Sequence, residues 1–274
     1  MKNHPSILVA ALALTAMTLP LKAGHEITEV SKNPTPVADY EGGRGLLTIE
    51  GPSGLFINPT SGTLPAHAFT AQYCFLLPNN DTSPFMAHGA MVAYGVTDWL
   101  ELGAHFITFD LAPAGSRDPL SAGPIVRVRL LKDEGWVPQV SIGGYFHFGD
   151  LENYNVFLAL YKRFEIQKDG FLRSVGFHTG VRETWVCKGL LGGRDASDTP
   201  VGYFGLEFQL PARFYVVGEV STKDHDAGGN NTPYAFGLQW RAGGINVSAA
   251  FTNTGAAALT EPSFFFGIGT QLKF

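Results

Sequence analysis

Charge is scarce in this chain. Asp, Glu, Lys and Arg make up 16% of its 274 residues, against about 25% in an average soluble domain. There is no basic excess: 19 basic and 24 acidic residues give a net charge of −5, so no nucleic-acid partner is expected. High charge with few aromatics would mark a disordered chain, and 12% aromatic content argues against that. The Ala/Glu/Lys/Leu-rich composition of a coiled coil is missing too. Cysteine is limited to Cys74 and Cys187, too few for a disulfide framework. In an oxidising compartment they could pair; the favoured reading is two unpaired thiols, buried or facing lipid. There is no P-loop, no glycine-rich dinucleotide motif and no Cys/His zinc spacing. No metal, no cofactor and no catalytic residue is therefore expected.

Long hydrophobic runs are also lacking. Residues 6–19 (SILVAALALTAMTL) are apolar but fall short of the roughly 18 residues a spanning helix needs. With Lys2 before them and Ala23 before Gly24, residues 1–23 read as a secretory signal peptide. Beyond it no segment could cross a membrane as a helix. A membrane-spanning fold would have to be a closed β-barrel, because only helices and barrels satisfy their backbone groups in lipid.

What the chain does have is 33 Gly, 21 Phe and a two-residue alternation. Residues 24–41 read as a polar linker. Residues 42–65 are rich in Gly and Pro yet carry Leu46, Leu47, Ile49, Leu55, Phe56 and Ile57. They read as a short plug-like segment at the periplasmic mouth. From residue 66 to 274 come about twelve strand-length segments: 66–76, 85–96, 99–109, 123–131, 136–148, 154–164, 171–185, 201–210, 213–222, 233–240, 245–254 and 263–274. Near the end Phe264, Phe266, Ile268, Leu272 and Phe274 share one face, and Gly267, Gly269, Gln271 and Lys273 share the other. Links between segments alternate short and long, as the turns and outer loops of outer-membrane barrels do. Aromatics gather at segment ends, among them Trp99, Trp136, Phe171 and Phe214 by the short turns and Phe109, Phe148, Tyr203 and Tyr234 by the long links. Such rings suit membrane interfaces. The expected fold is all-β, a transmembrane antiparallel β-barrel of about twelve strands, in the outer membrane of a Gram-negative-type bacterium. Its partners would be outer-membrane lipid and the barrel assembly machinery, with Phe274 as the assembly signal.

If the apolar faces meet lipid, the charges on the other faces must line the lumen, because Arg at mid-membrane costs about 2–4 kcal/mol. The lumen candidates are Glu101, His105, Arg127, Arg129, His147, His178, Arg182, Glu207 and Glu219. Arg127 and Arg129 share a strand face, and Glu101 on the preceding strand is their expected neighbour. Asp224-His225-Asp226 and His147 with Asp150 are isolated His–Asp groupings with little catalytic pattern around them.

The stretch from Glu50 to Pro65 (EGPSGLFINPTSGTLP) and the later YGVTDWLELGAHF from Tyr94 resemble YjbH-type outer-membrane β-barrel proteins, over roughly residues 50–106. That resemblance implies an envelope role linked to exopolysaccharide, and so a polysaccharide partner. The residues themselves leave three functions open: porin-like passage or scaffolding, a barrel enzyme hydrolysing lipid or peptide, and a structural or adhesion barrel acting through its outer loops.

Overall fold

The computed structural model describes residues 35–36, 48, 54–78, 85–111, 118–188, 200–223, 231–242, 244–254 and 262–274. The expected signal peptide, most of the linker and Asp224-His225-Asp226 lie outside the described residues. Strand β1 is only Thr35–Pro36, inside the expected linker, and it pairs with Lys273 and Leu272. Twelve long strands follow: β2 (Ala68–Pro78), β3 (Phe85–Gly95), β4 (Leu100–Leu111), β5 (Leu120–Leu131), β6 (Gln139–Gly149), β7 (Glu152–Glu165), β8 (Ser174–Lys188), β9 (Val201–Gln209), β10 (Phe214–Ser221), β11 (Tyr234–Ala242), β12 (Ile245–Asn253) and β13 (Ser263–Lys273). Each pairs antiparallel with its neighbour in the chain, and β13 closes the ring on β2 in one unbroken register from Ser263–Pro78 to Lys273–Ala68. Closure leaves no unpaired strand edge in the ring, the condition for a sheet to cross lipid.

The alternation sets two faces. Outward positions carry large apolar side chains at high exposure, including Leu102, Phe106, Leu158, Val181, Leu238, Ile268, Phe236 at 60% and Phe251 at 64%. Inward positions hold Thr70, Gln72, Glu101, His105, Arg127, Gln139, Ser141 and Gln239, all buried. This distribution is the reverse of a water-soluble domain. In water each exposed apolar Å² would forfeit about 25 cal/mol, whereas in hydrocarbon it forfeits nothing. The exterior is therefore a lipid-facing belt. His88 lies on this outer face, where the hydroxyl of Tyr73 meets its Nδ1 at 2.6 Å.

Links on one side of the ring span 79–84, 112–119, 150–151, 189–200, 222–233 and 254–262. On the other they span 96–99, 132–138, 166–173, 210–213 and 243–244. The second set is shorter as a group, though 132–138 and 166–173 run longer than the turns read from sequence. Two of the aromatics assigned to the interface by the long links are inside instead. Tyr203 is buried at 4%, and Phe109 packs on the interior cluster. Both fall on the inward phase of their strands, because Tyr203 is two residues from Val201 and Phe109 two from Ile107, both buried. Position near a strand end says nothing about face. Cys74 and Cys187 are not joined in a disulfide; Cys74 is buried and Cys187 half-buried.

Candidate functional site in the barrel interior

Residues 54–65 lie inside the wall of strands. A bridge between Gly54 and Pro59 and a hydrogen bond from Leu55 N–H to Asn58 O (3.0 Å) pinch residues 55–58 into a tight turn. The N–H groups of Phe56, Ile57 and Asn58 then point the same way, forming the type of backbone concavity that binds anions. The carboxylate of Glu219 on β10 occupies it. One oxygen accepts from Phe56 N (2.8 Å) and Ile57 N (2.7 Å), the other from Asn58 N (3.1 Å) and Asn58 Nδ2 (2.8 Å). A buried charge accepting several N–H donors is held far more firmly than a neutral acceptor would be.

The wall grips the rest of the segment in the same manner. Gln239 Nε2 donates to Leu55 O (2.9 Å). Glu101 accepts from Leu64 N (2.8 Å). Arg127 donates to Gly62 O. Gln139 Nε2 donates to Ser61 Oγ (3.1 Å), and the Ser141 hydroxyl donates to Ser61 O. Apolar contacts fill the gaps. The Phe56 ring meets Phe265 edge-on at 5.7 Å, and Leu55 lies over Gly205, where a Cβ would come within 2.4 Å of its Cδ1. At the exit a Cβ on Gly95 would sit 2.0 Å from Pro65 O, so only glycine lets the chain pass there. The segment was expected at the periplasmic mouth. Its turn reaches Glu219, close to the long-link end of β10, so its described part extends along the interior.

Among the lumen candidates, Glu101, His105, Arg127, His147, His178, Arg182, Glu207 and Glu219 are all buried on the inward face, at 5% exposure or less. Glu101 stands opposite Arg127 in the β4–β5 register. Arg129 is half-buried beside a register shift between Arg129 and Leu131, and its N–H donates to Trp99 O (2.7 Å). Phe274 is 39% exposed, and its N–H donates to His67 O (3.1 Å).

A second network spans β7 to β11. Arg241 Nη2 meets Glu207 Oε2 at 2.6 Å and donates to Gln239 Oε1, which also accepts from Arg241 Nε (3.0 Å). The guanidinium lies 4.1 Å above the Tyr215 ring. His178 Nε2 is 3.9 Å from the same Glu207 oxygen, and its ring lies 4.6 Å from that of Tyr161. Arg241, Gln239, Gln139 and Ser141 were not among the residues singled out from sequence. Their phase marked them all the same: Gln239 and Arg241 continue the inward run of Ala235 and Gly237.

A closed ring of twelve antiparallel strands, apolar outside and polar inside, defines the class: a transmembrane β-barrel. No family model matches the chain, and no curated protein matches it. Among solved structures it is similar to the Acinetobacter baumannii outer membrane protein Omp33, at 9% identity and a TM-score of 0.47, covering 77% of this chain and 99% of that one. It is also similar to the NanC porin, at 15% identity and a TM-score of 0.48, covering 75% and 98%, and to a mutant of Rh. blastica porin, at 10% and 0.27, covering 74% and 98%. The barrel assignment rests on the strand pairing alone.

Proposed function

We propose that the protein is a porin-like barrel of the Gram-negative outer membrane whose conduit is kept shut by its own residues 54–65 acting as a plug. The observation that carries this reading is the seat on Glu219, where one buried carboxylate takes three consecutive backbone N–H groups and the Asn58 amide. A barrel of about eight strands is filled by its own side chains, and one of sixteen leaves an aqueous channel. At twelve strands an inner segment makes the difference between closed and open. The finer reading, that the cargo is an exopolysaccharide, is supported only by the sequence resemblance over residues 50–106.

The test is conductance in planar bilayers. The full-length barrel is expected to show rare or no opening, and deletion of residues 54–65 to give steady ohmic current. Glu219→Ala should lie between, flickering as the turn leaves its seat. A deletion variant that folds, as judged by heat-modifiable migration on gels, but carries no current would overturn the plug reading.

A further inference from the structure

The interior holds a further polar group that the seat of residues 54–65 does not use. His105 on β4 and His147 on β6 meet with ring centroids 4.3 Å apart and planes at 73°. Register explains how side chains from non-adjacent strands come together. His105 stands opposite Gly123 on β5. The flanking pairs Ala122–Phe148 and Ile125–Tyr145 put that same glycine in line with His147. Three neighbouring strands thus present His, Gly and His in one row on the inward face. Two strand spacings separate the outer pair, about 9–10 Å. Gly123 contributes no side chain, and a Cβ there would lie 1.6 Å from Phe146 O, so β5 and β6 approach closely at this row. Tyr145 borders both, with centroids 6.0 Å from His105 and 5.9 Å from His147.

Hydrogen bonds fix the tautomer of His147. Asn155 Nδ2 reaches the backbone oxygen of Tyr145 (3.4 Å), which only accepts, so that atom is the amide nitrogen. The same nitrogen donates to Asn153 Oδ1 (2.7 Å), and Asn155 Oδ1 accepts from the Thr184 hydroxyl (2.6 Å). Asn153 Oδ1 is therefore an acceptor, and His147 Nδ1, 2.6 Å away, carries the hydrogen. In the neutral ring this leaves the lone pair on Nε2. An oxygen holding one ring N–H is the support that metal-binding histidines carry. His105 is fully buried at 0%, and neither of its ring nitrogens is hydrogen-bonded among the described residues. A buried polar group left so carries a desolvation cost, which a bound ligand removes.

We propose that His105 and His147 form a binding site inside the barrel for a divalent copper- or nickel-type ion. With the ion about 2.0 Å from each nitrogen, two imidazoles at a right angle have centroids about 4.5 Å apart, and at a tetrahedral angle about 5.2 Å. At 4.3 Å the two rings are within reach of one shared ion, and among divalent first-row ions imidazole nitrogens hold Cu(II) and Ni(II) tightly. No three His, Cys, Asp or Glu side chains come together as a metal cluster among the described residues. The site therefore supplies two protein nitrogens and leaves the other positions to exchangeable ligands, which suits capture and release more than a permanent structural ion. The two histidines come from strands separated by a third, so no spacing in the sequence signals them.

The experiment is a Cu(II) titration of the full-length barrel, folded in detergent at neutral pH, followed by electron paramagnetic resonance. One ion per chain with a two-nitrogen hyperfine pattern is expected. His105→Gln and His147→Gln should each weaken binding by at least about 10-fold, and Asn153→Ala by about 10-fold through loss of the tautomer. His67→Ala and His88→Ala should leave the two-nitrogen signal unchanged. Heat-modifiable migration verifies that each variant is folded. Identical Cu(II) binding by the wild type and the folded His105→Gln/His147→Gln double variant would overturn the proposal, as would a wild-type spectrum with a single nitrogen.

Discussion

Glu207 and Arg241 show what a charge does inside this barrel. Each is 5% exposed or less at the side chain, and they meet at 2.6 Å. Taking either ion out of water costs several kcal/mol, and the partner repays this only while it is present. Arg241→Leu should therefore lower unfolding free energy by about 3 kcal/mol, because the buried Glu207 carboxylate loses the guanidinium it touches. The double variant Glu207→Gln/Arg241→Leu should lose less than the sum of the two single changes. Urea titrations of the barrel in lipid vesicles measure both, and strict additivity would mean that the pair does not act as a unit.

At the scale of elements, the inner segment and the wall were shaped together. Gly205 on β9 leaves room for Leu55, and a side chain there would meet Leu55 Cδ1 at 2.4 Å. Gly205→Val is thus expected to destabilise the barrel by about 1–3 kcal/mol through overpacking. Adding Leu55→Ala should recover part of that loss. The midpoint of the folded-to-unfolded gel shift with temperature reads both effects, and no recovery would place the strain in β9 itself. The strands were legible in the sequence where inward positions are small or polar and outward ones large and apolar, as in Ala235, Gly237, Gln239 and Arg241 against Tyr234, Phe236, Leu238 and Trp240; inward aromatics such as Tyr203 and Phe265 break that pattern. The path of residues 54–65 was not. Four of its anchors are backbone N–H groups, which no side-chain pattern records, and their acceptors, Glu219 and Glu101, lie at 161 to 163 and 37 positions' remove. The His105–His147 meeting was hidden for a related reason. Alternation gives the face of each residue but not the register that lines up rows across strands.

For the whole molecule, the two sides of the ring differ. The start of β2 and the end of β13 pair with one another on the side of the shorter links. Barrels of the outer membrane keep short turns in the periplasm and long loops outside. Epitope tags within links 189–200 or 222–233 are therefore expected to bind antibody on intact cells, and tags within 132–138 only after the membrane is permeabilised. The opposite labelling would invert the barrel.

The seam between β2 and β13 also imposes an order in time. Thr70 Oγ1 donates to Thr270 O across it at 2.8 Å, 200 positions away in the chain. The ring cannot become a tube until its last strand exists, whereas residues 54–65 precede every strand that must enclose them. The wall can therefore close around residues 54–65, with Glu219 and Glu101 holding their backbone. Contacts so distant in sequence make for slow folding. The inner segment gives inward polar groups such as Glu219 and Glu101 something to hold away from water. In that sense the barrel is cast around a core piece, as a mould closes on its insert.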